Sequence, residues 1–336
     1  MKLRDLDFGA SVFGQSGVQG FFGEGGEYPH HSMYKNVPGF SFEGISFVAK
    51  TVTLKPRIYP DSSNTELIDG YKIKRLFPSS IWWSVKSFIK GYMLNAVGLA
   101  NPGLERMLDY NKWQKRRDVF QLSIMLMESN QEAKIVEAEA ACTFLNEKIP
   151  FGPKHRYAIQ INESCPNTGH EQTQHAEKIK PILQVFRARM PDVPIILKLD
   201  LLVEPLTIIA LKEYCDAFCI SNTIPFGKKE NQVSWGTLFK KGRSPLLKHF
   251  NGKFSGGLSG APLFPVLERW LETMDAVDSS VIIIAGGGIM TKGDIFKLMR
   301  FHIVRGVALG SVAILRPWRL AGLIDFGNHT ISRLLR

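Results

Sequence analysis

Val281-Ile282-Ile283-Ile284-Ala285-Gly286-Gly287-Gly288 and Val304-Arg305-Gly306-Val307-Ala308-Leu309-Gly310-Ser311 are two apolar, β-branched runs that each break into glycine. Residues 291 to 301 between them read as a helix, with Thr291 and Asp294 spaced as a capping pair. Strand, helix and strand in so short a span make a βαβ unit, whose two strands lie parallel.

Outward from there the same alternation covers the chain back to residue 119. Strands are predicted over Phe120 to Leu126, Tyr157 to Asn162, Pro194 to Leu199 and Ala217 to Ser221. Helices are predicted at roughly 130 to 147, 172 to 189, 204 to 214, 262 to 275 and 317 to 335. In the first of these Ile135, Ala138, Cys142 and Leu145 share one face, so Cys142 reads as a core residue, and Ser129 or Asn130 supplies the cap. Two further units, around Ile45 to Lys50 and Ser84 to Leu94, bring the number to eight. That number favours a (β/α)8 barrel over an open doubly wound sheet, built as one domain over residues 1–336. Phe8 to Tyr28 is rich in glycine, but it lacks the Lys-Ser/Thr of a phosphate loop and shows no clear preceding strand.

Composition bounds the function classes. Hydrophobic residues make up 44% and charged residues 22% of the 336, an ordinary globular balance that argues against disorder. No apolar run is long enough to span a bilayer and the first residues do not read as a secretory signal, so a soluble cytoplasmic protein with no membrane partner is expected. Four cysteines without a CxxC pair suggest neither a disulfide framework nor a thiolate metal site, and no metal is expected. The net charge of +11 suits anionic ligands. Much of it lies in residues 227–253, where Lys228, Lys229, Lys240, Lys241, Arg243, Lys248 and Lys253 face only Glu230; a solvated loop explains this most simply.

A barrel carries its chemistry at the C-terminal ends of its strands. The strand ends in order hold Lys50-Thr51, Asn95, Asn162 with Cys165 and Asn167, Lys198, Asn222-Thr223, Gly286-Gly287-Gly288 and Gly310-Ser311. Cys165, on the loop leaving Tyr157 to Asn162, is placed to act as base or nucleophile, or is a buried inert thiol. Amides such as Asn95, Asn162, Asn167 and Asn222 offer donors and an acceptor in one plane, suiting a planar ring edge, although a single asparagine is often only a turn residue. Lys50 and Lys198 end apolar runs, where an ammonium stabilises developing negative charge or a carboxylate, or simply extends to solvent. The glycine turns after the last two strands match the phosphate site such barrels build there, with Gly256 to Gly260 as a third wall.

Taken together these motifs resemble the dihydroorotate dehydrogenase family from about Ser16 to Arg316. Ser16-Gly17 is similar to its flavin-contacting turn, Ala49 to Thr53 to its Lys-Ser/Thr segment, and Asn95 to Gly103, including Gly98 and Leu99, to its substrate loop. Asn162 to Asn167 resembles the loop bearing the catalytic base. Ser221-Asn222-Thr223, Gly256 to Gly260, Gly286 to Ile289 and Gly310-Ser311 resemble the remaining flavin and substrate shell.

The resemblance implies an FMN enzyme that oxidises dihydroorotate to orotate in pyrimidine biosynthesis. Cys165 is then the catalytic base. Lys50, Asn95, Gly98, Leu99, Asn162, Asn167, Asn222 and Thr223 hold substrate; Ser16, Gly17, Lys50, Thr51, Asn95, Asn162, Lys198, Gly260, Gly287, Gly288, Gly310 and Ser311 hold FMN. Cysteine as the base, with a short N-terminus, resembles the soluble class 1 enzymes. Asn167, where dihydropyrimidine dehydrogenase commonly has histidine, favours orotate over uracil. Glu163 in place of an apolar residue, and Pro56 to Asp61 without the usual Gly-Asn-Pro run, depart from the pattern. The electron acceptor stays open among fumarate, NAD and quinone, as does the choice between a homodimer and a partner subunit carrying FAD and an iron–sulfur cluster. The chief rival, a tRNA dihydrouridine synthase, would need a helical RNA-binding domain that the few residues after Arg316 do not provide, so nucleic acid is not expected. A flavin-binding protein without catalysis would make Cys165 and the asparagines accidents.

Overall fold

The computed structural model describes residues 1–336 except 75–80, 83, 164–175, 221, 250–251 and 335–336. Eight parallel strands curl into one sheet: β1 Val12–Gly14, β2 Val52–Thr53, β3 Phe120–Met125, β4 Tyr157–Asn162, β5 Ile195–Leu199, β6 Ala217–Ile220, β7 Ile283–Gly286 and β8 Val304–Leu309. Their order is β1-β8-β7-β6-β5-β4-β3-β2, and a parallel bridge from Phe13 to Ser46, in the chain leading into β2, closes the ring. The expected barrel fold is therefore present.

Helices Gln131–Lys148, Ala176–Arg189, Pro205–Leu211, Phe264–Val277, Lys292–Leu298 and Leu320–Leu334 follow the strands. Each presents an apolar stripe to the barrel, and their buried side chains join the outward-facing strand residues in one large core. The cap expected at Asn130 accepts from the Ala133 amide, and Thr291 and Asp294 form the expected capping box. Cys142 lies in the core, where burial pushes its thiol up to about 12. No helix among the described residues is long and apolar enough to cross a membrane.

Two expectations fail. Ser84 to Leu94 is not a barrel strand. Ser84 caps a short helix, Val85–Lys90, which Gly91 ends in the left-handed region at φ 75°. Tyr92–Asn95 then joins Ile81–Trp82, Gly257–Gly260 and Ile224–Pro225 in a four-stranded antiparallel sheet over the barrel mouth. The remaining strand is Val12–Gly14, inside the glycine-rich segment, before which no clear strand was expected. It is only three residues long and is held by Leu309 and Ser46 from the far ends of the barrel chain. The hairpin of Lys2–Leu3 and Leu6–Asp7 precedes it, and Leu3, Leu6 and Phe8 plug the barrel floor against Phe13, Ala158, Ile196, Cys219 and Ile284.

Candidate active site

Strand alternation aims the site. Ala158 on β4 and Ile196 on β5 belong to the cluster that fills the lumen, so Asn162 and Lys198, at even spacings from them, point up into the barrel mouth. The two are direct partners in the β4–β5 register and are only 3% and 4% exposed. Lys50, equally buried, donates from Nζ to the Ala100 carbonyl at 2.6 Å and stands 4.7 Å from the Phe21 ring centre.

A hydroxyl and amide network ties these strand ends together. Thr51 Oγ1 lies 2.7 Å from Ser16 Oγ and 2.8 Å from Ser123 Oγ, and it accepts from Asn162 Nδ2 at 3.1 Å. The Thr51 amide donates to Ser16 Oγ at 3.0 Å. Asn222 Nδ2 donates to Asn162 Oδ1 at 3.3 Å, and Asn95 Nδ2 to Ser259 Oγ at 3.4 Å. Such coupling fixes the amide planes before any ligand arrives. Gly98 and Leu99 form a turn in which Leu99 takes φ 57°; Asn101 holds that turn by donating to the Leu99 carbonyl and accepting from the Gly103 and Thr53 amides.

The glycines bring backbone against backbone. A Cβ on Gly288 would stand 2.6 Å from the Gly260 carbonyl oxygen and 2.7 Å from the Phe264 nitrogen, at φ 82°. One on Gly260 would collide with the Gly91 carbonyl. Gly287 differs: its Cβ would meet only leucine side chains at ordinary distances, so its φ of 127°, and not crowding, demands glycine. A Cβ on Gly310 would press on Gln15.

One cavity of about 240 Å³ gathers these groups. Ser16, Gly17, Lys50, Thr51, Asn95, Gly98, Leu99, Asn162, Lys198, Asn222, Thr223, Gly260, Gly287, Gly288, Gly310 and Ser311 all line it. Cys165, Asn167 and Ser221 lie outside the described residues. Among the described lining residues two are lysines and none is acidic, a balance that draws an anion. Collision-tight glycines, buried ammonium groups and preset amides fit a planar heterocycle with a phosphate tail, so the residues present are compatible with FMN.

The lining also includes Ser259, within the wall expected from Gly256 to Gly260, and Gln15, Val18, Tyr28, Met93, Ile314 and His30, which the strand ends do not reach. Burial and the neighbouring His31 hold the His30 imidazole down to about 3, so it is neutral. The adjacent histidines at 30 and 31 were the available signal. Glu163, one of the two departures from the family pattern, turns away from the cavity; it meets Lys134 at 3.5 Å, and burial raises its carboxyl above the usual range.

Comparison with known proteins gives one family. The family described as dihydroorotate dehydrogenase matches residues 85–301. The catalytic subunit of dihydroorotate dehydrogenase B (NAD(+)) of Latilactobacillus sakei is 30% identical over 238 residues, 69% of this chain and 70% of that protein. The putative dihydroorotate dehydrogenase A (fumarate) of Pediococcus pentosaceus is 26% identical over 65% of this chain and 66% of its own length. The Eimeria tenella DHODH crystallised with ferulenol superposes with a TM-score of 0.66 at 17% identity, covering 98% of this chain and 84% of that one. The chain belongs to the dihydroorotate dehydrogenase family.

Proposed function

We propose that the protein oxidises dihydroorotate to orotate with FMN bound at the barrel mouth. The observation that carries this reading is the cavity lining: two buried lysines, three hydrogen-bonded asparagine amides and no acid among the described residues. A substrate with a carboxylate and alternating ring N–H and C=O groups matches that set.

In this reading Gly287, Gly288, Gly310 and Ser311 hold the FMN phosphate, Ser16, Gly17, Thr51 and Gly260 pack about the ring, and Lys198 supplies positive charge near it. Lys50, Asn95, Asn162, Asn167, Asn222, Thr223 and the Gly98-Leu99 turn hold dihydroorotate. Bound FMN supplies a hydride acceptor for the C6 hydrogen. Cys165 takes the C5 proton, so loss of proton and hydride together leaves the C5=C6 double bond of orotate. The thiol at this point in the chain also supports membership of the soluble class 1 group, a single catalytic barrel working in the cytoplasm. The relative named as a catalytic subunit supports a partner subunit that removes electrons; a homodimer using fumarate is the competing assembly.

The test is spectroscopic. Purified protein supplied with FMN should be yellow and should show a perturbed flavin spectrum with orotate but not with uracil. Equal perturbation by both would overturn the substrate assignment.

A further inference from the structure

His30 is a polar group in the cavity wall that the proposed chemistry does not use. It is 6% exposed, it lines the cavity, and neither ring nitrogen has a hydrogen-bond partner among the described residues. A neutral imidazole carries one N–H and one lone pair, and burying both without partners costs free energy unless a ligand completes them. The ring is firmly seated, with Tyr28, His31 and Tyr34 ring centres 5.3, 4.7 and 5.9 Å away. His31 is tied at 2.9 Å to the Val18 carbonyl and Tyr34 donates to the Ile314 carbonyl at 3.0 Å, so the whole wall is braced from both sides.

We propose that His30 is an FMN-binding residue, whose imidazole hydrogen-bonds the bound cofactor; this rests on the reading of the cavity as an FMN site. The barrel order decides between cofactor and substrate. Val18 and Ile314 stand just beyond the ends of β1 and β8, which are neighbours in the ring, and the Gly310-Ser311 turn follows β8. Asn162 and Asn222 come from the ends of β4 and β6, four and two strands round the ring from β8. His30 therefore faces the cavity from the side assigned to FMN and away from the amides assigned to dihydroorotate. Being held neutral, it donates or accepts without bringing a charge to the flavin.

The test is titration of FMN with the flavin-free full-length chain, followed by fluorescence quenching, for wild type, His30→Leu and His30→Gln. Leucine fills a similar volume without polar atoms, while glutamine keeps a donor and an acceptor. His30→Leu should bind FMN about tenfold or more weakly, as expected for losing one buried hydrogen bond, with glutamine recovering much of the loss. The flavin-free melting temperature of His30→Leu should not fall, because an unpartnered polar group has been removed. Unchanged FMN affinity in His30→Leu would overturn the proposal, as would a loss that glutamine shares and that tracks lowered flavin-free stability. Weakened orotate binding with intact FMN binding would overturn it too, moving His30 to the substrate. Failure of the broader reading looks different: wild type that takes up no FMN ends both. Wild type that binds FMN but is not reduced by dihydroorotate ends only the substrate assignment, and His30 is then judged on its variants.

Discussion

Asn162 Nδ2 donates to Thr51 Oγ1 at 3.1 Å, joining the end of β4 to the segment that opens β2. Two further hydroxyls, those of Ser16 and Ser123, meet the same oxygen, so one buried threonine ties four stretches of chain at the barrel mouth. Thr51→Val keeps the shape and removes the shared atom. It should lower stability by about 1 to 3 kcal/mol, because buried partners are left unpaired, and should weaken FMN and orotate binding together. Denaturant midpoints and flavin titration check this.

Gly288→Ala should fail where a control glycine tolerates change. Its Cβ meets the Gly260 carbonyl and the Phe264 amide, both backbone, so neither can yield cheaply. Gly152 has nothing within 4 Å of its Cβ and no positive φ. Gly288→Ala is expected to purify without flavin and with a lowered melting temperature, while Gly152→Ala remains yellow and close to wild type.

Acid should destabilise the chain partly through His30. Folded, it is held to about 3, whereas an unfolded histidine titrates near 6.5. Between those values the unfolded chain binds the extra proton, so stability falls as pH drops through that window, with a slope approaching about 1.4 kcal/mol per pH unit from this group. His31, also lowered by burial, adds in the same direction. Glu27, Glu137 and Glu163 are raised by burial and oppose it, favouring the fold at acid pH and losing that contribution as pH rises through their folded values. Urea midpoints across the window should fall less steeply towards acid in His30→Leu than in wild type.

Cys165→Ala should leave orotate binding intact and slow flavin reduction by about a hundred- to ten-thousand-fold, the usual contribution of a positioned general base. Wild-type reduction should quicken with rising pH as thiolate accumulates. Stopped-flow traces on fully flavinated protein measure both.

The parts of this fold legible in the sequence were those with local causes. Ile195-Ile196-Leu197 announces a strand buried on both faces, and alternation then aims Lys198 at the mouth. Asn162, Gly288 and Ser311 could be placed at the cavity because strand ends are what surround a barrel's mouth. What could not be read depends on distant chain. Val12–Gly14 is a strand because β8 and Ser46 flank it, and Tyr92–Asn95 is antiparallel because Gly257–Gly260 lies beside it. His30 stands on a short helix separated from β1 by residues 15–28, and reaches the cavity only through the fold of that glycine-rich stretch.

Anaerobic mixing of the FMN-loaded chain with dihydroorotate, followed by flavin absorbance and by the orotate formed, decides whether the barrel oxidises this substrate. The flavin should bleach, with one orotate appearing for each flavin reduced. Fully bound FMN that keeps its oxidised spectrum at saturating dihydroorotate would contradict the proposed oxidation.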